Sequence, residues 1–264
     1  MTSPGAAGAL GNLRTVLKAY GDGTVFGEAF GQGPVAVVWL HGWARRGQDF
    51  AVAASRLADE GVASVALDLP GFGSSPPPSA PGGAGLYART VASVIESLGP
   101  DPVVLVGHSF GGRVATVLAA RRPDLVRALV LTGTPLARTG PTRRPAWRHR
   151  VVRAAHARGL VSERRMEAWR QRHGSADYRA ARGVVRDVLV VTVNESYEED
   201  MARVRAPVHL LWGADDREVP VSVLEASLEH WGAPVSVRTL EGVGHFVPLE
   251  APDDLVAVVR EALA

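Results

Sequence analysis

The stretch VVLVGHSFGG, residues 103–112, is an apolar run, Val103 to Val106, that breaks at Gly107 into His108, Ser109, Phe110, Gly111 and Gly112. A short run that is apolar on both faces reads as a strand of a parallel sheet covered on two sides. Where such a strand turns directly into a helix, the apex residue is forced into a strained backbone conformation, and its neighbours two positions away must be small. Gly107 and Gly111 meet that need around Ser109. The spacing GxSxG at a strand-to-helix junction is that of a nucleophile elbow, which projects a serine hydroxyl from the C-terminal edge of the sheet. By itself the pattern says little: with 29 Gly and 15 Ser in 264 residues, it arises by chance in about one such chain in five. Its weight comes from what flanks it.

On either side the chain alternates between buried-strand and amphipathic-helix patterns. RTVLKAYGDGTVFGEAFG reads as two strands joined by a Gly-Asp-Gly turn, and VAVVWL (35–40) as a buried strand. A helix near 48–60, strand 62–69, a Pro/Ser/Gly loop over 70–85, helix 86–98, strand 102–107, helix 110–121 and strand 126–133 follow. After an insert, strand 208–213, a helix from near Pro220, strand 235–242 and a helix over 252–263 complete the pattern. The fold class is α/β: a mostly parallel, eight-stranded sheet flanked by helices, in one domain. Its core spans 13–136 and 201–264, with a helical cap over 137–200 inserted after the sixth strand. Trp147, Val151 and Ala155, then Val184, Val185, Val188 and Leu189, recur there at helical spacing.

A serine hydroxyl is a poor nucleophile until a base takes its proton, and the base needs a third group to fix its tautomer. Two downstream loops supply these types. ADDREVP follows strand 208–213 and contains Asp215 and Asp216; GVGHFVPLEAP follows the last strand and contains His245. Each lies just beyond a strand's C-terminal end, where open α/β sheets build their sites. The Gly-to-Pro spacing favours Asp216, with Asp215 the alternative. Acyl transfer also needs two N–H groups aimed at the developing oxyanion. Phe110, the residue after the serine, supplies one, and Trp43 in WLHGWARR (39–46) is placed to supply the other. His108 and His41 read as packing and loop-bracing residues, and Asp68 with PGFGSS as a turn bracing the neighbouring loop.

Together LHGW, DLPGFGSS, GHSFGG, LLWGADDREVP and GVGHFVPLEAP resemble the α/β hydrolase superfamily, over nearly the whole chain apart from the first dozen residues and the insert. The resemblance is nearest to small cytoplasmic serine carboxylesterases, including the pimeloyl methyl ester esterases. It implies Ser109 as nucleophile, His245 as general base and acid, Asp216 as the orienting carboxylate, and Trp43 and Phe110 as the oxyanion donors. It implies also that the insert is a lid forming the acyl or alcohol pocket. The expected activity is cleavage of a carboxylic ester or thioester through an acyl-enzyme. Amidases, carbon–carbon bond hydrolases and acyltransferases use the same constellation, and a hydrolase-fold binding protein of low turnover is the reading of a different class.

Composition narrows the rest. The chain has no cysteine, which excludes disulfides, thiol nucleophiles and sulfur-ligated zinc. No cofactor is expected: His149, His156 and His173 lack metal-ligand spacing, and no Walker or dinucleotide motif accompanies the glycines. Neither a signal peptide nor a membrane span is recognisable, so a cytoplasmic protein is expected. Net charge is +2, yet residues 138–187 carry 14 Arg against 4 acidic residues. These arginines form either a solvated outer face of the cap or, with Arg45 or Arg46, an attraction for an anionic small-molecule substrate. Nucleic acid is not an expected partner, because aromatic stacking platforms and a basic-domain fold are missing. The oligomeric state is left open.

Overall fold

The computed structural model describes residues 16–21, 23–137, 155, 158–160, 162, 164–167, 172 and 176–264. Eight strands form one sheet: β1 (Val16–Tyr20), β2 (Val25–Phe30), β3 (Val35–Leu40), β4 (Ala63–Asp68), β5 (Val103–His108), β6 (Val126–Thr132), β7 (Val208–Gly213) and β8 (Val235–Leu240). Their order is β1-β2-β4-β3-β5-β6-β7-β8. The first two strands run antiparallel to their neighbours, and every pairing from β4 to β8 is parallel. The expected eight-stranded, mostly parallel sheet is therefore present.

Strand β5 shows why the sheet sits where it does. Val103 and Leu105 face one apolar cluster, Val104 and Val106 the other, and all four are essentially inaccessible. Successive side chains of a strand point to opposite faces, so a run of Val and Leu requires cover on both. One cover is made by α2 (Ala84–Leu98) and α3 (Phe110–Arg121), the other by α1 (Ala51–Asp59) and a C-terminal helix, α9 (Pro252–Leu263). Removing each of these side chains from water contributes roughly 1.5–3 kcal/mol. Nine of the twelve α3 residues are buried, as expected of a helix enclosed between sheet and further helices. Pro252 at its first turn, followed by Asp253 and Asp254, starts α9 with the residues that the free N–H groups and positive end of a helix favour.

Between β6 and β7 the described residues include helices α4 (Ala176–Ala180), α5 (Gly183–Thr192) and α6 (Glu198–Arg203). The helical spacing of Val184, Val185, Val188 and Leu189 is realised in α5, whereas Trp147 and Val151 lie outside the described residues. Arg186 fits neither reading of the insert's arginines. It is buried, its guanidinium meets both oxygens of Glu167 at 2.7 and 2.9 Å, and its Nε donates to the carbonyls of Tyr178 and Ala181. It holds the insert together from within. Helices α7 (Val221–Ser227) and α8 (Val247–Glu250) follow β7 and β8. No described helix is long and apolar enough to cross a membrane.

Candidate active site at the C-terminal edge of the sheet

Ser109 occupies the apex between β5 and α3 with φ 50° and ψ −111°, a left-handed-side conformation that a non-glycine residue adopts only where its surroundings impose it. The imposition is visible. Its N–H donates to the Thr132 carbonyl at the end of β6 (2.9 Å), while its own carbonyl accepts the N–H groups of Gly112 and Arg113 in the first turn of α3. A Cβ at Gly107 would stand 2.5 Å from the Gly112 Cα, and one at Gly111 would strike the Leu40 carbonyl. Both glycines are thus required by backbone approaching backbone.

The loop after β7 delivers a carboxylate. Trp212 Nε1 donates to the Val219 carbonyl (2.8 Å) and closes the turn, inside which Asp216 Oδ1 accepts the N–H groups of Glu218 and Val219, both at 2.8 Å. The other oxygen, Oδ2, lies 2.7 Å from His245 Nδ1. Of the two neighbouring aspartates, Asp216 meets the imidazole; Asp215 is exposed. Burial pushes the Asp216 carboxyl up, but the bonds from His245, Val219 and Glu218 outweigh it and leave the group below the ordinary carboxylate range. The geometry makes Nδ1 the protonated nitrogen of neutral His245, with Nε2 free to accept a proton.

His245 is placed by its own loop. Glu250 accepts the N–H groups of Gly244 (2.7 Å) and Phe246 (3.0 Å), tying both neighbours of the histidine to the start of the last helices. The ring packs against Gly133, where a Cβ would come within 2.9 Å of Nδ1, next to the Thr132 carbonyl that binds Ser109. Ser109, Asp216 and His245 thus gather around the ends of β5, β6 and β7. Ser109 Oγ and His245 share no hydrogen bond, and Nε2 faces Glu218 Oε2 at 3.5 Å.

Two further loops frame the serine. Among the described residues, the backbone N–H groups of Trp43 and Phe110 have no hydrogen-bond partner. His41 braces the Trp43 loop as expected: Nδ1 donates to the Gly42 carbonyl (2.7 Å) and Nε2 accepts from Leu69 N–H (2.9 Å). Asp68 braces it from beneath, one oxygen accepting Gly47 N–H (2.8 Å) and the other Ser74 N–H (2.7 Å). Burial holds both internal histidines neutral, lowering His41 to about 4 and His108 to about 3. His108 bonds Thr132 Oγ1 through Nδ1 (2.9 Å), and its ring packs at a 53° tilt against that of His245, the centroids 4.8 Å apart.

The residues match a family model described as "Alpha/beta hydrolase family" over 37–258. This chain belongs to the alpha/beta hydrolase family. Among curated members it is similar to a pimeloyl-acyl-carrier-protein methyl ester esterase of Chromobacterium violaceum, 39% identical over 50% of this chain and 48% of that protein. It is also similar to lipase LipV of Mycobacterium tuberculosis, 42% identical over 41% of this chain and 40% of the other. These two alignments span about half, or less, of the relatives' length. A second pimeloyl-acyl-carrier-protein methyl ester esterase, from Aeromonas salmonicida, is 28% identical over 88% of this chain and 96% of its own. Among solved structures the thioesterase domain from the curacin biosynthetic pathway superposes with TM-score 0.70 at 21% identity, covering 95% of this chain and all of that one. That likeness speaks for the fold.

Two site features are given no role by the sequence motifs, although most of their residues lie within them. Trp43, Phe72, Phe110 and Tyr87 form a run of edge-to-face contacts beside the serine, with ring centroids 4.9 to 5.3 Å apart. Glu218, two residues past Asp216, stands at the histidine's outer nitrogen. The sequence signal for both was proximity to a motif residue.

Proposed function

We propose that the chain is a serine hydrolase that cleaves a carboxylic ester or thioester through an acyl-enzyme. Ser109 Oγ attacks the carbonyl carbon as His245 Nε2 takes its proton, and the imidazolium is held by Asp216. The electron pair displaced onto the carbonyl oxygen is stabilised by the N–H groups of Phe110 and Trp43. Collapse of the adduct expels the alcohol or thiol, which receives the proton from Nε2; water then repeats the sequence and frees Ser109. The observation that carries this reading is the buried 2.7 Å contact between Asp216 and His245 beside a serine held at φ 50°. Two unpartnered N–H groups on either side of that serine support it, as do relatives named as esterases and a lipase. In this reading the Ser109–His245 hydrogen bond forms as substrate binds, since such contacts commonly tighten only in the complex.

Residues 137–200 are the lid in this reading, the two flanking segments are one catalytic core, and the enzyme works in the cytoplasm without a cofactor. An anionic substrate is less well supported. Arg45 already holds Asp49 through Nε and Nη2 (2.6 and 2.9 Å), and Arg46 lines a cavity shared with Glu28 and Asp68. Turnover of p-nitrophenyl acetate and butyrate tests the proposal: the wild type hydrolyses both, and Ser109→Ala removes the activity. Wild-type rates in Ser109→Ala would overturn it. The contact between Glu218 and Nε2 favours one second reading, a binding protein of negligible turnover, which would show covalent labelling by a fluorophosphonate without ester hydrolysis.

A further inference from the structure

Among the described residues, Glu218 is the one carboxylate at the outer nitrogen of His245, and neither the family motifs nor the relatives' names assign it a role. Its Oε2 stands 3.5 Å from Nε2, with the side chain 63% exposed while the imidazole is 7% exposed. Its backbone N–H is fixed to Asp216 Oδ1 at 2.8 Å, so the residue is anchored in the same turn that holds the orienting carboxylate. We propose that Glu218 selects the charge of the departing group, favouring esters and thioesters with a cationic alcohol or thiol and disfavouring anionic ones. The inference rests on the serine-hydrolase reading.

Nε2 must return a proton to the leaving atom, which requires about 3 Å between them. A carboxylate 3.5 Å from the same nitrogen is therefore within roughly 6.5 Å of the leaving atom, and about 8 Å from a charge carried three bonds beyond it. At that separation, with an effective dielectric of about 40 to 80 for a solvent-facing pair, the Coulomb interaction changes kcat/KM by about two- to sixfold per unit charge, and the cation-to-anion ratio by the square of that.

The other charged groups facing the imidazole do not cancel this field. Asp216 lies under the ring, its oxygens committed to His245, Glu218 N–H and Val219 N–H. The guanidinium of Arg45, 5.0 Å over the Phe246 ring, forms a bidentate pair with Asp49 and is locally neutral. Glu250 is turned onto the N–H groups of Gly244 and Phe246. His108, packed against the His245 ring, is kept uncharged by burial. Among the described residues, Glu218 meets no lysine or arginine side chain.

The test compares three thioesters of one acyl group: butyrylthiocholine, its neutral isostere S-(3,3-dimethylbutyl) thiobutyrate, and S-butyryl-2-mercaptoethanesulfonate. Thiol release is followed directly, because the chain has no cysteine of its own. At low ionic strength the wild type is expected to rank them cation, neutral, anion in kcat/KM, spanning tenfold or more. Glu218→Gln should shrink the cation-to-anion ratio about tenfold, Glu218→Asp should keep its sign, and Glu218→Lys should invert it. The ratio is taken within each variant and so is independent of the fraction folded. A Glu218→Gln ratio within twofold of the wild type, or a wild-type preference for the anion, overturns the proposal and leaves the hydrolase reading standing. Absence of turnover on these substrates and on p-nitrophenyl butyrate removes both.

Discussion

Replacing Asp216 by Asn changes one oxygen into an NH2 group at a side chain that is 1% exposed. Two N–H donors, from Glu218 and Val219, already point at Oδ1 at 2.8 Å, so the retained carbonyl oxygen of the new amide must stay on them. The NH2 is then turned toward His245 Nδ1, which has to become an acceptor, and the ring proton moves to Nε2. An imidazole protonated at Nε2 cannot take the Ser109 proton, and the carboxylate that would stabilise the imidazolium is gone as well. In a Ser-His-Asp constellation this exchange lowers kcat by about 10⁴-fold, equivalent to about 5.5 kcal/mol of transition-state stabilisation. The fold should hardly notice, because the turn keeps both backbone bonds. The assay is kcat on p-nitrophenyl butyrate at pH 7.5, alongside thermal unfolding followed by circular dichroism. A loss smaller than tenfold in a variant that melts with the wild type would refute the assignment of Asp216 as the group that orients His245.

Other perturbations follow from the same geometry. Gly111→Ala drives a Cβ into the Leu40 carbonyl; overpacking against backbone should cost about 3 kcal/mol and lower the melting temperature by about 6 to 12 °C, and an unchanged melting curve would contradict the account of the elbow. The two buried histidines make stability depend on pH. Their folded-state values, about 4 for His41 and about 3 for His108, lie below the ordinary 6.5. The unfolded chain therefore binds the extra protons first, and the stability contributed by the neutral rings is whole above pH 6.5 and falls as the pH drops toward 4. Between pH 7 and 5 the combined loss is about 4 kcal/mol, readable as a shift in the urea midpoint, and a flat profile over that range would mean the rings are not buried as described. Arg186→Ala removes a buried guanidinium that binds Glu167 and the carbonyls of Tyr178 and Ala181; proteolysis within the insert should become at least tenfold faster, and equal rates would show that the insert does not depend on this residue.

Much of the fold is legible because strands such as β5 are apolar on both faces, and a parallel sheet is the ordinary way to bury such a strand. The boundaries that sequence reading misplaced are those set by distant partners. Helix α2 begins at Ala84 and not at 86, because Glu195, far along the chain, accepts the Ala84 N–H at 2.9 Å. Strand β4 stops at Asp68 and not at 69, because the Leu69 N–H goes to His41 Nε2. Strand β8 ends at Leu240 and lies at the sheet edge, with four of its six residues exposed, which its alternating VSVRTL pattern does not distinguish from a more covered strand. In the candidate site, Ser109 is legible from the glycines that flank it at a strand-to-helix junction, and Asp216 and His245 from loops bounded by glycine and proline. The Gly-to-Pro spacing already favours Asp216 over Asp215, and Asp216 is the one that meets His245 while Asp215 is exposed. Glu218 and the aromatic run could not be read, because their meaning lies in contacts between segments that no local pattern joins.

The central claim is that one serine, strained at the end of β5, is the atom that becomes acylated. It is tested most directly by treating the protein with a fluorophosphonate and mapping the adduct by peptide mass spectrometry. The account predicts a single stoichiometric adduct on Ser109, with ester hydrolysis lost in proportion to labelling. An adduct on another residue, or hydrolysis that survives complete labelling, would contradict it.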